Sequence, residues 1–460
     1  MKFIRIPPRS FAMAHAAGRT ALGAWLTSGE DEKSPRNSRN TGFSLCISRA
    51  ANKSFLSLGA VFSTVPTPAR RRFFSRLLAA VLSAGLAPGA SLADDVTAAL
   101  GGMKGQLIGA ATEEIAKNGE GSTIALQDGT LLHAFSRHMR PQDSKKYPNP
   151  DLWPAVVAKI VSHDQGRTWT EPEILFRSST GENAMQPSLA RLANRELGVS
   201  YSRIDSISHA TKVFRYSRDD GRTWSGEILI SPADSYWTSA HDRMIVLSTG
   251  RVFLTLHQKV QVHPEHMTTQ PAYSDDNGRT WKLIPQVLAV KEILPDVKKR
   301  SGDVWGFWEA SAVERSDGSV YMLGRTYAGN LYWTESLDHG LTWSELKPTN
   351  LPSSPAPGKV VKAPGSSDLI VVWNSCCVAG PRLSLSSAIS TDGGLTWKWP
   401  RAIETVSPGE GRSVQYPAMT IIGDKAYVSY RATALSKMQE YMTVLPVSWF
   451  YVEKETNSPR

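Results

Sequence analysis

The sequence predicts an all-β protein, namely a six-bladed β-propeller whose blades are four-stranded antiparallel sheets. The first observation is a pattern, S-x-D-x-G-x-T-W, that begins at Ser162, Ser217, Ser274, Ser336 and Ser390. The second observation is a weaker, interleaved repeat in which a turn precedes an alternating strand. Successive copies of the first pattern start 54 to 62 residues apart, a period typical of propeller blades.

Each copy of this pattern, called a box below, is predicted to form a hairpin turn. Strand-like runs precede the boxes, among them AVVAKIVS, TKVFRYS, GNLYWTES and RLSLSSAIS. The aspartate can accept hydrogen bonds from backbone N–H groups, the glycine takes the positive φ of the turn, and the tryptophan fills apolar space in the adjacent sheet. Five copies of one catalytic acid would have no use, so we predict that the boxes are structural.

The weaker repeat supplies six further strands. Its copies lie at 126–136, 192–202, 247–257, 315–325, 363–374 and 421–431. Two hairpins per unit make a four-stranded sheet, and six units occupy residues ~100–455, with the last unit closing the ring without a box. Because radial repetition leaves only short edges, neither a second folded domain nor a helical bundle is expected.

The net charge of +10 belongs to the N-terminal segment. Residues 1–93 contain 13 Lys/Arg and 3 Asp/Glu, whereas the remainder contains 39 residues of each sign. The part that is expected to fold is therefore neutral, and this argues against a nucleic-acid partner.

The end of that segment has the order of residues found in secretory signals. In RRRFFSRLLAAVLSAGLAPGASLADD, a basic cluster precedes a short apolar run and then small residues, with cleavage expected after Ala93. The paired arginines also resemble a twin-arginine signal. The alternative to a signal peptide is that residues 73–87 form a buried helix. The apolar run is too short to span a bilayer stably. We expect residues 1–69 to be a disordered leader or an over-extended start, 70–93 to be a signal peptide, and 94–460 to be the propeller of an exported, periplasmic or extracellular protein.

Cysteine usage and motifs predict no disulfide framework, metal or cofactor, and we expect a monomer. The three cysteines are Cys46 and the adjacent pair Cys376 and Cys377, and neighbouring residues cannot close a long loop. Two adjacent cysteines with no histidine nearby are also poor metal ligands. No phosphate loop, dinucleotide fingerprint or clustered set of metal ligands occurs in the sequence.

The boxes resemble the Asp boxes of sialidases (neuraminidases), the six-bladed propellers of glycoside hydrolase family 33 and its relatives, over roughly residues 105–450. The stretch WEASAVERSDGSVYMLGR resembles the sialidase segment in which a glutamate precedes a D-G turn and an arginine ends the next strand, which places Glu309 and Arg325. A segment before the fifth box places Arg382, and SVQYPAMTI places Tyr416. The four residues come in the order that the family has.

The resemblance implies a role for each of these residues. Tyr416 would be the nucleophile, because a neutral phenol avoids the repulsion that a carboxylate would meet from an acidic sugar. Glu309 would be its base, and Arg325 and Arg382 would bind the substrate carboxylate through their guanidinium groups. The acid/base residue would be Asp151, with Asp143 as the alternative. For each residue alone the alternative is structural: an arginine that pairs with a neighbouring carboxylate, or a tyrosine that packs.

The first blade departs from the family pattern. Where sialidases have the first of three carboxylate-binding arginines, this sequence has NGEGSTIALQDGTLL with Glu120. We expect Glu120 to repel the carboxylate of sialic acid, or to neutralise Arg325 or Arg382.

Other polar residues also precede the strands that open blades. Gln186 and the run His241-Asp242-Arg243 are candidates for substrate binding, and the alternative for the run is a salt-bridged turn. Trp308 and Trp237 would stack on a sugar or belong to the core.

These features predict a secreted exo-glycosidase that removes terminal sialic acid or a related acidic sugar from a glycan or glycoconjugate. The alternatives are a propeller glycosidase for a uronic or sulfated sugar, which Glu120 favours, and a glycan-binding propeller without catalysis.

Overall fold

The structure is a computed structural model that describes residues 103–451, apart from positions 144, 146, 148, 376–379, 410 and 436. The predicted leader, the signal peptide with its cleavage point, and all three cysteines therefore lie outside the described residues. The predictions made for them stay predictions.

The described residues form 27 strands and little helix. The first nine strands are β1 (Gln106–Gly109), β2 (Ile115–Ala125), β3 (Leu131–Met139), β4 (Ala155–Ser162), β5 (Glu173–Phe176), β6 (Ala184–Arg191), β7 (Leu197–Ile204), β8 (Ala210–Ser217) and β9 (Ile228–Leu229). The next nine are β10 (Trp237–Thr238), β11 (Met244–Val246), β12 (Val252–Leu254), β13 (His257–Gln261), β14 (His266–Thr269), β15 (Ala272–Ser274), β16 (Lys282–Leu283), β17 (Trp305–Glu314) and β18 (Val320–Thr326). The last nine are β19 (Asn330–Ser336), β20 (Lys347–Pro352), β21 (Lys359–Lys362), β22 (Leu369–Asn374), β23 (Ser384–Ser390), β24 (Lys398–Thr405), β25 (Ser413–Ile422), β26 (Lys425–Ala434) and β27 (Lys437–Pro446).

Helical structure is limited to short segments. The described residues contain one α-helix, α1 (Pro295–Ser301), and 3₁₀ turns at Pro150–Leu152 and Val447–Tyr451. Among the described residues, no helix combines the length and the apolar character that crossing a membrane requires. The 3₁₀ turn at Pro150–Leu152 carries Asp151, the residue predicted to be the acid/base.

Antiparallel pairing of strands that follow one another in sequence organises the strands into five sheets. Three sheets have four strands, in the orders β6-β7-β8-β9, β11-β12-β15-β16 and β21-β22-β23-β24. A seven-stranded sheet has the order β10-β13-β14-β17-β18-β19-β20. An eight-stranded sheet joins the first and last strands of the described residues in the order β25-β26-β27-β2-β3-β4-β5, with β1 also paired to β27. The prediction of an all-β fold is confirmed.

Two short parallel contacts make the larger sheets continuous. Lys117 of β2 faces Met438 of β27, and β14 meets β17 at two residue pairs, which include Met267 and Gly306. The count of six blades stays a prediction, because these contacts join strands that the sequence repeat assigns to separate blades.

The core consists of apolar clusters that lie between consecutive groups of strands. In one cluster, Leu132 and Phe176 of the β2–β5 group pack with Leu197 and Tyr201 of the β6–β9 group. Another cluster packs the first described strands against the last ones, and it includes Ile108 and Met442. The box tryptophans lie in or against five of these clusters, at positions Trp169, Trp224, Trp281, Trp343 and Trp397. Large aromatic side chains thus fill the space between neighbouring sheets.

The box turns share one set of hydrogen bonds, which the third box illustrates. Ser274 Oγ donates to Asp276 Oδ1 at 2.7 Å and accepts from the Gly278 N–H at 2.8 Å. The Asp276 carboxylate accepts from the Thr280 N–H at 2.8 Å and from the Thr280 hydroxyl at 2.6 Å. Gly278 has a φ of 83°, and a Cβ there would lie 2.1 Å from the ring of Phe214. The aspartate is therefore used by the turn, and glycine is required by both the backbone and the packing.

We expect Asp276→Ala to lower the free energy of unfolding by about 1–3 kcal/mol, because two backbone or hydroxyl donors of Thr280 lose a charged acceptor. Chemical denaturation measures this change. Burial acts to raise the pKa of Asp276, but the hydrogen bonds from Thr280 outweigh it and hold that pKa below the ordinary value. The contribution of the Asp276 carboxylate to the free energy of unfolding is therefore present above about pH 4 and is lost as the pH falls through the lowered pKa. The difference between the variant and the wild type should shrink at acid pH.

The matched control is Asp275→Ala, one residue away. The Asp275 side chain is 53% exposed and pairs with Arg251 at the surface, so we expect a loss of less than about 1 kcal/mol. Equal losses in the two variants would show that the box aspartate has no special role in the turn.

Candidate active site

Four strands each contain a bulge at which one polar residue adopts a left-handed conformation. The pairing register shifts between Gly119 and Ser122 in β2, and similar shifts occur in β6, β17 and β25. The residues with positive φ at these bulges are Glu120 (62°), Gln186 (59°), Glu309 (51°) and Tyr416 (57°). A bulge inserts an extra residue and changes the direction of its side chain. Positive φ is unfavourable for such residues, so their surroundings must hold them in place.

Buried donors bind the carbonyl groups of these strained residues. Lys212 Nζ donates to the Gln186 carbonyl at 2.9 Å, and Arg243 Nε donates to the Glu309 carbonyl at 3.2 Å. The Nε2 atom of His241 lies 3.1 Å from the Tyr416 carbonyl oxygen. Burial lowers the pKa values of all three donor side chains below their ordinary values. Because a bulge removes its residue from the regular ladder, these donors satisfy carbonyls that would otherwise be unpaired.

Asp242 ties several strands together beneath the bulges. It too has a positive φ (55°), and its carbonyl accepts from Lys359 Nζ at 2.5 Å. Its carboxylate accepts from the Ser122 hydroxyl at 2.9 Å, from Lys359 Nζ at 2.9 Å and from the Met419 N–H at 3.2 Å. Asp242 therefore connects β2, β21 and β25 through one buried carboxylate.

A cavity of about 190 Å³ is lined by all four bulge residues. Its other lining residues come from the 3₁₀ turn, from several strands and from connecting loops, and they include Asp151, Thr238, His257, Lys259, Glu265, Met267, Trp308 and Arg325. The sequence-predicted residues Tyr416, Glu309, Asp151, Arg325, Glu120 and Gln186 thus line one cavity. The remaining predicted binding residues, Arg382, Asp242 and Arg243, do not line it.

Ion pairs set the charge of this cavity. Arg325 Nη1 donates to Glu309 Oε2 at 2.6 Å, and its guanidinium lies 4.4 Å from the centre of the Trp308 ring. Lys117 Nζ lies 2.6 Å from Asp151 Oδ1. The Asp151 side chain is 59% exposed, whereas that of Lys117 is 2% exposed. A largely exposed carboxylate is thus held by a buried cation at the mouth of the site.

Glu120 is held by cations that the sequence did not indicate. Arg431 Nη1 donates to its Oε1 at 2.7 Å, and Lys117 Nζ lies 3.5 Å from the same oxygen. The expectation that Glu120 would neutralise Arg325 or Arg382 is therefore wrong. Arg325 pairs with Glu309, and Arg382 donates to the side chain of Gln415.

Two guanidinium groups lie over the ring of Tyr416. The guanidinium carbon of Arg431 is 4.5 Å from the ring centre and that of Arg382 is 5.3 Å away. The described hydrogen bonds of Arg382 go to neutral oxygens, those of the Gln415 side chain and of the Pro355 carbonyl, the latter at 2.6 Å. Arg382 thus places a positive charge near the tyrosine ring, and neither of its two hydrogen-bond partners neutralises that charge.

The pKa values of the site follow from burial and these charges. Burial, followed by the charge of Glu309, raises the pKa of Tyr416 to about 12, although Arg325 and Arg382 oppose the shift. Burial also acts to raise the pKa of Glu309, but the Arg325 guanidinium and its hydrogen bond keep it below the ordinary value. The charge of Lys117 holds the pKa of Asp151 well below its usual range. At neutral pH the phenol is therefore protonated and both carboxylates are ionised.

The other sequence candidates lie elsewhere. Asp143, the alternative acid/base residue, is exposed and accepts a hydrogen bond from the Lys145 N–H at 2.9 Å. Trp237 is buried in an apolar cluster, whereas Trp308 lines the cavity. His241 and Arg243 lie under the bulges and bind backbone carbonyls.

Sequence reasoning missed several polar residues in and around the site. Lys117, Arg431 and Lys212 are buried cations within strands, and His257 opens β13. A lysine or arginine in an otherwise apolar strand is unusual and could have drawn attention to these positions. The partner of each residue could not have been identified, because Glu120 and Arg431 are 311 positions apart. Among the described residues, no group of three or more His, Cys, Asp or Glu side chains is arranged to hold a metal ion.

Comparisons with known proteins agree with this architecture. The family described as a BNR repeat-like domain matches residues 154–428. A search of curated proteins finds no match.

Solved structures provide the other matches. The Hadza microbial sialidase Hz136 has a TM-score of 0.59 and 15% identity, over 75% of this chain and 69% of that one. A protein of unknown function from Dyadobacter fermentans DSM 18053 has a TM-score of 0.57 and 19% identity, over 75% of this chain and 99% of that one. The intramolecular trans-sialidase from Ruminococcus gnavus has a TM-score of 0.54 and 15% identity, over 74% of this chain and 96% of that one. At these identities the likeness shows the fold.

We expect Arg431→Met to lower the free energy of unfolding by about 3 kcal/mol, because it leaves the buried Glu120 carboxylate with only the more distant Lys117 as a cation. Urea denaturation measures the loss. The double variant Glu120→Gln/Arg431→Met should recover part of it. The control is Arg218→Met, which removes an arginine that is 74% exposed from its pair with Glu196. A loss no larger than that of the control would show that Arg431 does not stabilise Glu120.

Proposed function

Because the chain belongs to the family of BNR repeat-like domains, we propose that it is a secreted exo-glycosidase that removes terminal sialic acid or a related acidic sugar. The observation that carries this proposal is that Tyr416, Glu309, Arg325 and Asp151 line one cavity, although they come from β25, β17, β18 and a 3₁₀ turn. Structural neighbours that are named sialidases and a trans-sialidase support a role in cleaving or binding glycans.

An acidic sugar suits the cations around Tyr416. Arg382 and Arg431 lie over its ring, and Arg325 reaches Glu309 on the adjacent strand. Guanidinium groups bind carboxylates through paired hydrogen bonds. We assign Arg325 and Arg382 to the substrate carboxylate, as the resemblance implies, and add Arg431 as a third cation of the site.

The reaction that we propose retains the configuration of the sugar. The Tyr416 phenol oxygen attacks the anomeric carbon and gives its proton to Glu309, while the departing oxygen takes a proton from Asp151. Water then attacks the same carbon, Asp151 accepts a proton from that water, and the phenol recovers its proton from Glu309. Since the pKa of Tyr416 is raised to about 12, attack without Glu309 as base would be slow at neutral pH.

Asp151 limits the first step of this scheme. The Lys117 cation lowers its pKa well below the ordinary range, so little of the acid form exists at neutral pH. Substrates whose leaving group departs without a proton, such as aryl glycosides, should therefore be cleaved more readily than alkyl glycosides.

A glycan-binding propeller without catalysis is the second candidate. Among the described residues, the Tyr416 hydroxyl donates no hydrogen bond to a carboxylate, and this observation favours binding over catalysis. Catalytic hydrogen bonds are often long before substrate binds, so turnover decides between the two. A uronic or sulfated sugar is the alternative substrate that Glu120 favours.

We expect Tyr416→Phe to reduce turnover of aryl sialosides by on the order of a thousandfold or more, because the nucleophilic oxygen is lost. The melting temperature should hardly change, since the described residues give this hydroxyl no hydrogen-bond partner. The control is Tyr427→Phe, which removes a hydroxyl that binds the Gln165 carbonyl outside the cavity and should retain activity. Full activity in Tyr416→Phe would contradict the mechanism, and inactive wild type that still binds the sugar would favour the second candidate.

We expect Lys117→Met to move the alkaline limb of kcat/KM for an alkyl sialoside to higher pH. The limb falls as Asp151 loses its proton, and removal of a cation at 2.6 Å raises the pKa of that carboxyl by about one to three units. The control is Lys159→Met, which removes the surface pair with Glu173 and should leave the pH profile unchanged. An unshifted limb in Lys117→Met would mean that Asp151 is not the acid.

A further inference from the structure

The two oxygens of the Glu120 carboxylate have different surroundings. Oε1 is bound by Arg431 at 2.7 Å and lies 3.5 Å from Lys117 Nζ. Oε2 is buried and has no hydrogen-bond partner among the described residues. Glu120 is 2% exposed and lines the cavity. A buried carboxylate oxygen without a donor is unfavourable, and a donor on a bound molecule would relieve this cost.

The backbone and the ion pair fix the position of this oxygen. Glu120 sits at the β2 bulge with a φ of 62°. Because Arg431 holds Oε1, the carboxylate cannot exchange its two oxygens without breaking the ion pair. Oε2 is therefore a preorganised acceptor rather than part of a mobile side chain.

His257 supplies a second polar atom of this kind. It is 4% exposed and lines the same cavity, and its Nε2 lies 2.6 Å from the Thr238 hydroxyl oxygen. Its Nδ1 is buried and has no hydrogen-bond partner within the described part of the chain. Burial lowers the pKa of His257 to about 3, so the ring is neutral at physiological pH. A neutral ring has one N–H group and one lone pair, and either can bind a hydroxyl group.

Resting on the proposed function, we propose that Glu120 Oε2 accepts a hydrogen bond from a hydroxyl group of the bound sugar and that His257 Nδ1 binds a second hydroxyl. The two residues thereby determine which side of the sugar faces β2 and β13.

The acceptor selects against an acidic group at the same place. A carboxylate or sulfate has no proton to donate at neutral pH and would add like charge beside Glu120. The acidic group of a substrate therefore lies on the Tyr416 side of the cavity, where Arg325 lines the wall and the Arg382 guanidinium is 5.3 Å from the centre of the tyrosine ring. Glu120 then orients an acidic sugar instead of excluding it, which is the opposite of the effect expected from the sequence.

Calorimetric binding with defined sugars tests this assignment. The probes are the methyl glycosides of N-acetylneuraminic acid, glucuronic acid and galactose, each with its monodeoxy analogues, measured on wild type and on Glu120→Gln. We expect one deoxy analogue of the best-bound glycoside to bind wild type at least about tenfold more weakly than its parent. In Glu120→Gln, removing the same hydroxyl should weaken binding by a much smaller factor, because the variant offers that hydroxyl no charged acceptor.

Glu265→Gln is the matched control. Glu265 also lines the cavity, but its Oε1 already accepts from the Tyr327 hydroxyl at 2.9 Å. This variant makes the same change of charge, and the deoxy analogue should lose as much affinity in it as in wild type. Glu120→Asp, which keeps the charge and shortens the side chain, repeats the measurement should Glu120→Gln fail to fold.

The outcomes separate the two proposals. If a glycoside binds but every deletion costs the same factor in wild type and in both Glu120 variants, Glu120 does not bind a hydroxyl and the assignment alone fails, since this result does not contradict the proposed function. If none of the probes binds wild type, the proposed function fails and the assignment fails with it.

Discussion

The site depends on residues held in the left-handed conformation at bulges of the strands that line it. Glu120, Gln186, Glu309 and Tyr416 all have positive φ, a conformation that favours glycine. The bulge turns each side chain to the cavity, and it also removes the carbonyl of that residue from the sheet ladder. Each bulge thus has a strained backbone and an unpaired carbonyl group at the same residue. The surrounding residues must hold the strained conformation and donate hydrogen bonds to the carbonyl.

Buried cations meet this requirement, and their charges then shape the rest of the site. Lys212, Arg243 and Lys359 bind carbonyls of residues with positive φ, and burial lowers the pKa of each cation. Asp242 balances Lys359 and at the same time connects three strands. Removing any one of these groups would leave a buried charge or a buried carbonyl without its partner. A substitution that changes the charge of the site would therefore also weaken the support of the strained backbone.

The cavity has a positively charged side near Tyr416 and a side near β2 that offers a carboxylate oxygen as a hydrogen-bond acceptor. Around Tyr416, arginines create a positive environment that suits an acidic group, while the carboxylate of Glu309 remains ionised close to Arg325. On the side of β2, the Glu120 carboxylate is neutralised at one oxygen and unbound at the other. A ligand that carries both an acidic group and hydroxyl groups matches this division, as acidic sugars do.

The local structure and several of the residues that line the cavity could be predicted from the sequence. The hydrogen bonds of a box join residues within four positions of one another, so the pattern carries its own turn and predicts strands on either side of it. Tyr416, Glu309, Arg325 and Asp151 were found because a resemblance supplied their context, and they lie together in the structure. The partner of Glu120 is Arg431, 311 positions away, and Asp242 contacts several strands under the bulges. Both depend on the packing of distant strands and could not be predicted from the sequence. An ion pair between distant strands leaves no periodic trace in sequence, and a bulge changes which side chains face the cavity without changing the composition of the strand.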